Sequence, residues 1–289
     1  MHSNLKRLGS VTRGCQIVGI PRSTYYYKPK GKKSPDMDLA EKIEEIALDF
    51  PSYGYRRITA ELKRRGLKVN HKRVLRLMRD KNLLCRAQKT FKATTDSSHG
   101  LTKYPNLIDD LVPYRTDQLW HADITYIRIA NSFVYLSALI DGFSRKVVGY
   151  GLGRTLSADL AMAALLDAIS KRGTDNLIHH SDQGIQYCSY DYVKILKDYR
   201  ISISMSGKAN PYDNAKIESF FRTLKVEEVY MFEYETYVEV LKRIPYFIEE
   251  VYNRKRLHSS LGYIPPEEFE NINNEKMKGN ESHQLILTN

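Results

Sequence analysis

Between residues 120 and 152 three runs rich in Tyr, Ile, Val and Phe follow one another across short joins: Trp120 to Ile129, Phe133 to Ile140 and Lys146 to Leu152. Residues of these types suit a half-buried pleated surface. Asn131-Ser132 and the region of Asp141-Gly142 supply the turns. A parallel pair of strands needs a crossover of a dozen or more residues, so joins this short predict an antiparallel meander.

After the meander the hydrophobic period changes. A helix is predicted from Ser157 to Lys171, with Ser157 as N-cap, followed by a strand from Leu177 to Ser181, a helix from Tyr190 to Tyr199, a strand from Ile201 to Met205 and a long helix. Asn210 as N-cap, Pro211 at the first position and Asp213 at the third give that last helix its start. Ile217, Phe220, Phe221 and Leu224 then fall at i, i+3, i+4 and i+7, a stripe that faces the sheet. Three antiparallel strands followed by αβαβα predict a ribonuclease H-like α/β fold, a mixed five-stranded sheet flanked by helices.

The chain before residue 119 reads differently. Residues 4–28 predict two short helices broken at Gly19-Ile20-Pro21, compatible with a helix-turn-helix, with Tyr25 to Tyr27 read either as part of it or as packing. Lys28 to Pro35 is a linker by composition. Leu39, Ile43, Ile46 and Ala47 share one helical face, Ile58 and Leu62 open a helix that stops at Gly66, and Asn70 caps a helix bearing Val74, Leu75, Leu77 and Met78. The other face of this last helix carries His71, Lys72, Arg73, Arg76 and Arg79. The domain organisation expected is a helix-turn-helix-like segment and linker over 1–35 and a helical DNA-binding domain over 36–95. A connector over 96–118, a catalytic core with C-terminal helices over 119–271 and a polar tail over 272–289 complete it.

Charge follows the same division. The first 100 residues hold 23 Lys/Arg against 9 Asp/Glu and the rest hold 22 against 25, so the net +11 of the 289-residue chain is an N-terminal property. A basic half joined to a near-neutral half points to a polyanion-binding arm serving a separate chemistry domain. Lys72, Arg73 and Arg76 are the candidate phosphate contacts, since an apolar stripe backed by a basic one suits a helix lying on DNA. No run approaches the ~20 apolar residues of a membrane span, and no secretory signal region is evident at the N-terminus. Three dispersed cysteines, Cys15, Cys85 and Cys188, fit neither a disulfide framework nor a zinc site, so a reducing cytoplasm is expected.

Asp123 lies inside the first strand run, Asp182 ends the fourth and is followed by Gln183-Gly184, and Glu218 lies on the last helix. Carboxylates carried by two strands and a helix can converge, and three converging carboxylates suit a pair of Mg2+ ions for phosphoryl transfer. Spacing alone does not select them: 35 residues separate Asp182 from Glu218, but also Asp191 from Glu227 and Asp213 from Glu249. Local context does, because Asp191 reads as a helix N-cap, Asp213 as part of a helix start, and Glu249 as one face of an amphipathic helix. Lys225, seven residues past Glu218, is placed near an incoming phosphate. His180 is read as positioning a phosphate or water, His179 as strand packing and Cys188 as buried. The stretch Ser206 to Asn210 reads as a polar loop beside the metals.

The chain resembles bacterial insertion-sequence transposases with a retroviral-integrase-like core, in particular the second-reading-frame product of the group assembled by frameshifting. The residues that carry the resemblance are Tyr53-Gly-Tyr-Arg-Arg-Ile58, Trp120 with Asp123-Ile-Thr-Tyr126, His180-Ser-Asp-Gln-Gly184 with Gln186-Tyr187, Asn210-Pro-Tyr-Asp-Asn214 with Glu218-Ser219-Phe220, and Tyr252-Asn253, Arg256, His258 and Pro265-Pro266. Together they span roughly residues 37–271. The resemblance implies a DDE recombinase with Asp123, Asp182 and Glu218 as ligands of two Mg2+ ions (Mn2+ as substitute), and His180, Asn214 and Lys225 near DNA. The expected partners are double-stranded DNA, as element ends and target, and further copies of the chain on that DNA. The first-frame product is a further expected partner, by fusion or association, because this chain shows no sustained heptads of its own. Nucleoid association follows from such a role. A ribonuclease H-like nuclease without strand transfer and a catalytically silent DNA-binding regulator are the competing readings.

Overall fold

The computed structural model describes residues 11–19, 21–26, 35–85, 101–207 and 214–287. It divides into two units, residues 1–42 and 43–289. In the first unit α1 (Val11–Val18) and α2 (Arg22–Tyr26) are separated at Gly19, whose φ of 70° lies in the left-handed region that favours glycine. α3 (Pro35–Asp49) begins in the first unit and ends in the second. The expected linker residues 28–34 and helix start at Asn210, Pro211 and Asp213 lie outside the described residues.

In the second unit, α4 (Tyr55–Arg64) and α5 (His71–Asp80) form a helical pair. The two helices pack together, with Ile58 and Leu62 of the first and Val74, Leu77 and Met78 of the second all buried. α4 ends before Gly66, which has a φ of 81°, and the Asn70 side chain accepts the Lys72 N–H at 2.9 Å to cap α5.

The sheet contains β1 (Leu119–Ile129), β2 (Ser132–Asp141), β3 (Val147–Gly153), β4 (Ile178–Ser181) and β5 (Ser202–Met205), in the order β3-β2-β1-β4-β5. The first three pair antiparallel, and β4 and β5 add in parallel. This is the ribonuclease H-like layout. α6 (Ala158–Lys171), a short turn α7 (Ile185–Cys188) and α8 (Tyr190–Asp198) share a core with Trp120, Ala122 and Leu139. α9 (Ala215–Leu224) and α10 (Tyr237–Tyr246) share another with Ile127, Val134, Leu136 and Ile140. Gly149 permits the close approach of α6, because a Cβ there would lie 2.5 Å from both Ala164 O and Ala168 N.

Both outer strands are covered. The Asn253 side chain accepts the Val147 N–H and donates to the Val147 carbonyl, each at 3.0 Å. Asp167 accepts the Tyr150 N–H at 3.2 Å, and the Tyr237 hydroxyl donates to the Leu152 carbonyl. At the other edge Met205 N–H donates to Pro105 O, and Leu107 N–H to Ser204 Oγ. The expected connector thus runs along β5. At the foot of the sheet, Asp141 is fully buried and accepts bonds from the backbone N–H groups of Asp117, Phe143 and Ser144. Arg172 clamps Asp117 and Glu270 with paired bonds of 2.9–3.0 Å, tying the end of α6 to α11 (Pro266–Leu287).

Two helix starts differ from expectation. Ser157 occupies the N-cap position of α6 without a side-chain cap bond, and Ser189, not Asp191, occupies that of α8, where Asp191 falls in the first turn. No described helix is long and apolar enough to cross a membrane. All three cysteines are unpaired.

Candidate active site

Register brings the two aspartates together. β4 runs parallel to β1 with His180 level with His121. Two residues further along each chain, on the same face, stand Asp182 and Asp123, and neighbouring strands are about 4.8 Å apart. α9 lies over that face through Ile217, Phe220, Phe221 and Leu224, all buried against β1 and β2. Glu218, one residue off this stripe, is exposed.

Electrostatics tie the three side chains. Asp123 is half-buried, and its carboxyl is pushed up to about 8 by desolvation, then by the charge of Asp182, with Glu218 adding to the rise. The Ile124 N–H, donating to Oδ1 at 2.7 Å, and the Lys225 ammonium oppose it. Asp182 Oδ1 accepts the Gly184 N–H at 2.9 Å. A Cβ on Gly184 would press within 2.9 Å of that same oxygen, which gives the glycine of Asp-Gln-Gly its reason. Among the described residues no three His, Cys, Asp or Glu side chains already close around a metal. Repulsion between like charges opposes such closure, and a cation relieves it. The donor set is carboxylate oxygen throughout, which suits a hard divalent ion such as Mg2+ or Mn2+ and not a thiolate-seeking one.

Lys225 is half-buried, with Nζ 4.6 Å from the centroid of the Tyr126 ring. The helix does not continue in α form to reach it: Lys225 to Val229 is a π-helical segment. Three other candidates stand as follows. Lys72 and Arg76 are exposed and Arg73 half-exposed on α5, with Arg76 3.7 Å from Asp80.

Two expected DNA contacts lie buried in this structure. His180 is fully buried, its Nδ1 sharing a 2.9 Å hydrogen bond with Ser204 Oγ, and burial pushes its pKa down to about 4. β4 is an interior strand, and the Ser204 hydroxyl and the His121 ring lie against this imidazole. Asn214 is likewise buried, its amide donating to the Ala122 carbonyl at 3.4 Å. His179 packs as expected, against the Tyr192 hydroxyl at 2.8 Å, and Cys188 is buried beside Met205. A residue passed over in the sequence, Glu227, proves to be an ion-pair centre that binds Arg256 through two bonds of 2.7 and 2.8 Å. Only its shared spacing with Asp191 singled it out, and that spacing is accidental.

The fold and the acidic face of its sheet define a ribonuclease H-like polynucleotidyl transferase core of the DDE type. Comparison with known proteins agrees: integrase core domain models match residues 113–211 and 199–266, and an HTH-like domain model matches 35–91. A 31 kDa protein of insertion element IS600 from Shigella sonnei is 38% identical over 88% of this chain and 96% of its own length. Transposase InsF of insertion sequence IS3A from Escherichia coli K12 is 35% identical, over 91% and 95%. Among solved structures, the HTLV-2 integrase catalytic core in complex with magnesium matches with a TM-score of 0.39 and 16% identity, over 50% of this chain and 92% of that one. The chain belongs to the family of insertion-sequence transposases that includes InsF of IS3.

Proposed function

We propose that this transposase cuts the ends of its own insertion sequence and joins the freed 3′ hydroxyls to target DNA, using Asp123, Asp182 and Glu218 as ligands of two divalent ions. The observation that carries the reading is the parallel register of β1 and β4, which sets Asp123 and Asp182 side by side beneath the helix that bears Glu218, where their like charges push the Asp123 carboxyl up and a cation would offset them. When bound, Mg2+ (or Mn2+) supplies activation of the attacking hydroxyl or water and charge relief at the leaving oxygen. The carboxylates fix where the reacting phosphate sits, and Gly184 N–H holds one oxygen of Asp182 in place. Lys225, half-desolvated over Tyr126, contributes a positive charge for a non-bridging phosphate oxygen. In the joining step the 3′ oxygen forms a new bond to phosphorus and the target strand's bridging oxygen leaves, so one phosphodiester replaces another.

Around this centre, residues 36–95 bind DNA with Lys72, Arg73 and Arg76 against phosphates, 96–118 connect, and 119–271 carry the chemistry. α1 and α2 belong to a further helix-turn-helix-like segment. Joining two ends requires more than one copy on the DNA, with the first-frame product as a further partner, at the nucleoid.

The test incubates the protein with Mg2+ and a labelled duplex of its element end. Cut and joined products are expected from the wild type, and neither from Asp182→Asn, whose DNA affinity stays at least equal. Cutting without joining would favour a nuclease, and wild-type cutting by Asp182→Asn would remove that residue from the mechanism.

A further inference from the structure

The helix that carries Glu218 does not end freely. α9 runs on into the π-helical segment Lys225–Val229, so Glu218, Lys225 and Glu227 lie on one continuous rod. π turns inside helices concentrate at functional sites. At the far end, the Glu227 carboxylate accepts Arg256 Nε at 2.7 Å and Nη2 at 2.8 Å, and Arg57 Nη1 lies 3.8 Å away. Arg256 is 4% exposed, and its third nitrogen lies 3.4 Å from His258 Nε2. The Arg57 guanidinium stands 5.5 Å from the centroid of the Tyr53 ring, and the buried Tyr53 hydroxyl accepts the Leu257 N–H at 2.7 Å. A second line runs beside the first: the Tyr252 ring packs edge-on against Phe220, two residues past Glu218, and against His258, each at 4.8 Å.

Burying the Arg256–Glu227 pair, with the partly exposed Arg57 beside it, gives little stability over an apolar core of equal volume, but separating the pair strands a charge. At this joint, that property sets the roll of the rod. A side-chain head ~6 Å from the helix axis moves about 1 Å for a roll of ~10°. A misplacement of about 1 Å at a reacting centre costs on the order of 100-fold in rate.

We infer that Glu227 is a positioning residue for strand cleavage, and that Tyr53 and Arg57 couple the helical region 43–85 to the orientation of Glu218 and Lys225 through it. DNA seated on that region would thereby act on the metal-binding carboxylate without touching it. The inference rests on the reading of Glu218 as a metal ligand.

The experiment uses the full chain, a labelled duplex of its own element end, and a MgCl2 titration, comparing wild type with Tyr53→Phe, Arg57→Gln and Glu227→Gln. Expected for each variant is a rise of roughly 3- to 10-fold in the Mg2+ concentration giving half-maximal cutting and a fall of about 10-fold or more in kcat. Metal-free DNA affinity should stay within about twofold, since none of the three is assigned to phosphate. A merely structural role would lower the folded fraction and leave the Mg2+ midpoint where it was, and that outcome overturns the inference, as do wild-type values in Tyr53→Phe and Arg57→Gln. Should Glu227→Gln not fold, Tyr53→Phe, which deletes one hydroxyl, still decides the matter. A wild-type chain that binds its end yet never cuts overturns instead the metal-ligand reading beneath it.

Discussion

Gly149→Ala tests how closely α6 is seated on the sheet. The added carbon would stand 2.5 Å from Ala164 O and Ala168 N and 2.6 Å from Ala168 Cβ, against 3.4 Å for ordinary contact, so about 0.9 Å of separation has to be found. Two of the three obstacles are helix backbone, which cannot turn aside as a side-chain end can, so α6 shifts as a body. With it move Leu160, Ala161, Leu165 and Ala168, all in the core. Overpacking of this kind costs typically 1–3 kcal/mol, and rigid obstacles place this case near ~3. At roughly 2–4 °C per kcal/mol for a domain of this size, Tm should fall by about 6–12 °C. Differential scanning calorimetry of three variants measures it. Gly151→Ala, 3.0 Å from Leu160 O, should lose less, and Gly173→Ala, with open space around the site, should shift little. Equal melting of Gly149→Ala and Gly173→Ala would refute the close seating of α6.

Three further outcomes follow from the site and its supports. Without metal, the carboxyl of Asp123 titrates near 8 when folded against 3.8 in its ordinary state, so the folded chain binds the extra proton between these values. The stability this gives is lost as pH rises through that window, with a slope of at most ~1.4 kcal/mol per pH unit. Asp123→Asn should flatten the slope in urea titrations at pH 5 and 8, and an unchanged slope would locate the proton elsewhere. Asn253→Ala leaves the Val147 N–H and carbonyl without the side-chain partner they have now, at about 1–3 kcal/mol each, so urea unfolding should show a loss of roughly 2–6 kcal/mol. Lys72→Ala should weaken DNA binding alike for all sequences and reduce the slope of log K against log salt by about 0.9, and a sequence-dependent loss would make Lys72 a base contact instead.

What the sequence discloses of this molecule depends on how local the cause is. The meander is legible because short joins between Val-, Ile- and Tyr-rich runs leave no alternative, and the α9 stripe is legible because four apolar residues recur at helical spacing. The candidate carboxylates can be picked out from strand and helix context, whereas their mutual approach depends on the parallel register of β1 with β4, which no local pattern encodes. His180 and Asn214 look like surface polar residues; the first is buried because β4 lies between β1 and β5, the second because the start of α9 meets the Ala122 carbonyl, and neither placement is encoded in a local pattern. Glu227 is harder still. Its partners Arg57 and Arg256 lie 170 residues before it and 29 after, and nothing in helical periodicity distinguishes an exposed glutamate from one that joins two guanidinium groups.

The cover on the two outer strands limits how copies of this transposase can come together. Asn253, Asp167 and Tyr237 already occupy amide and carbonyl groups of β3, and at β5 the Met205 N–H donates to Pro105 O while the Leu107 N–H donates to the Ser204 hydroxyl. Among the described residues these bonds interrupt the rows on which a neighbouring protomer could lay a strand, the route by which exposed sheets fuse and aggregate. Contacts through helix faces and through DNA can be made and released without unzipping the sheet that bears Asp123.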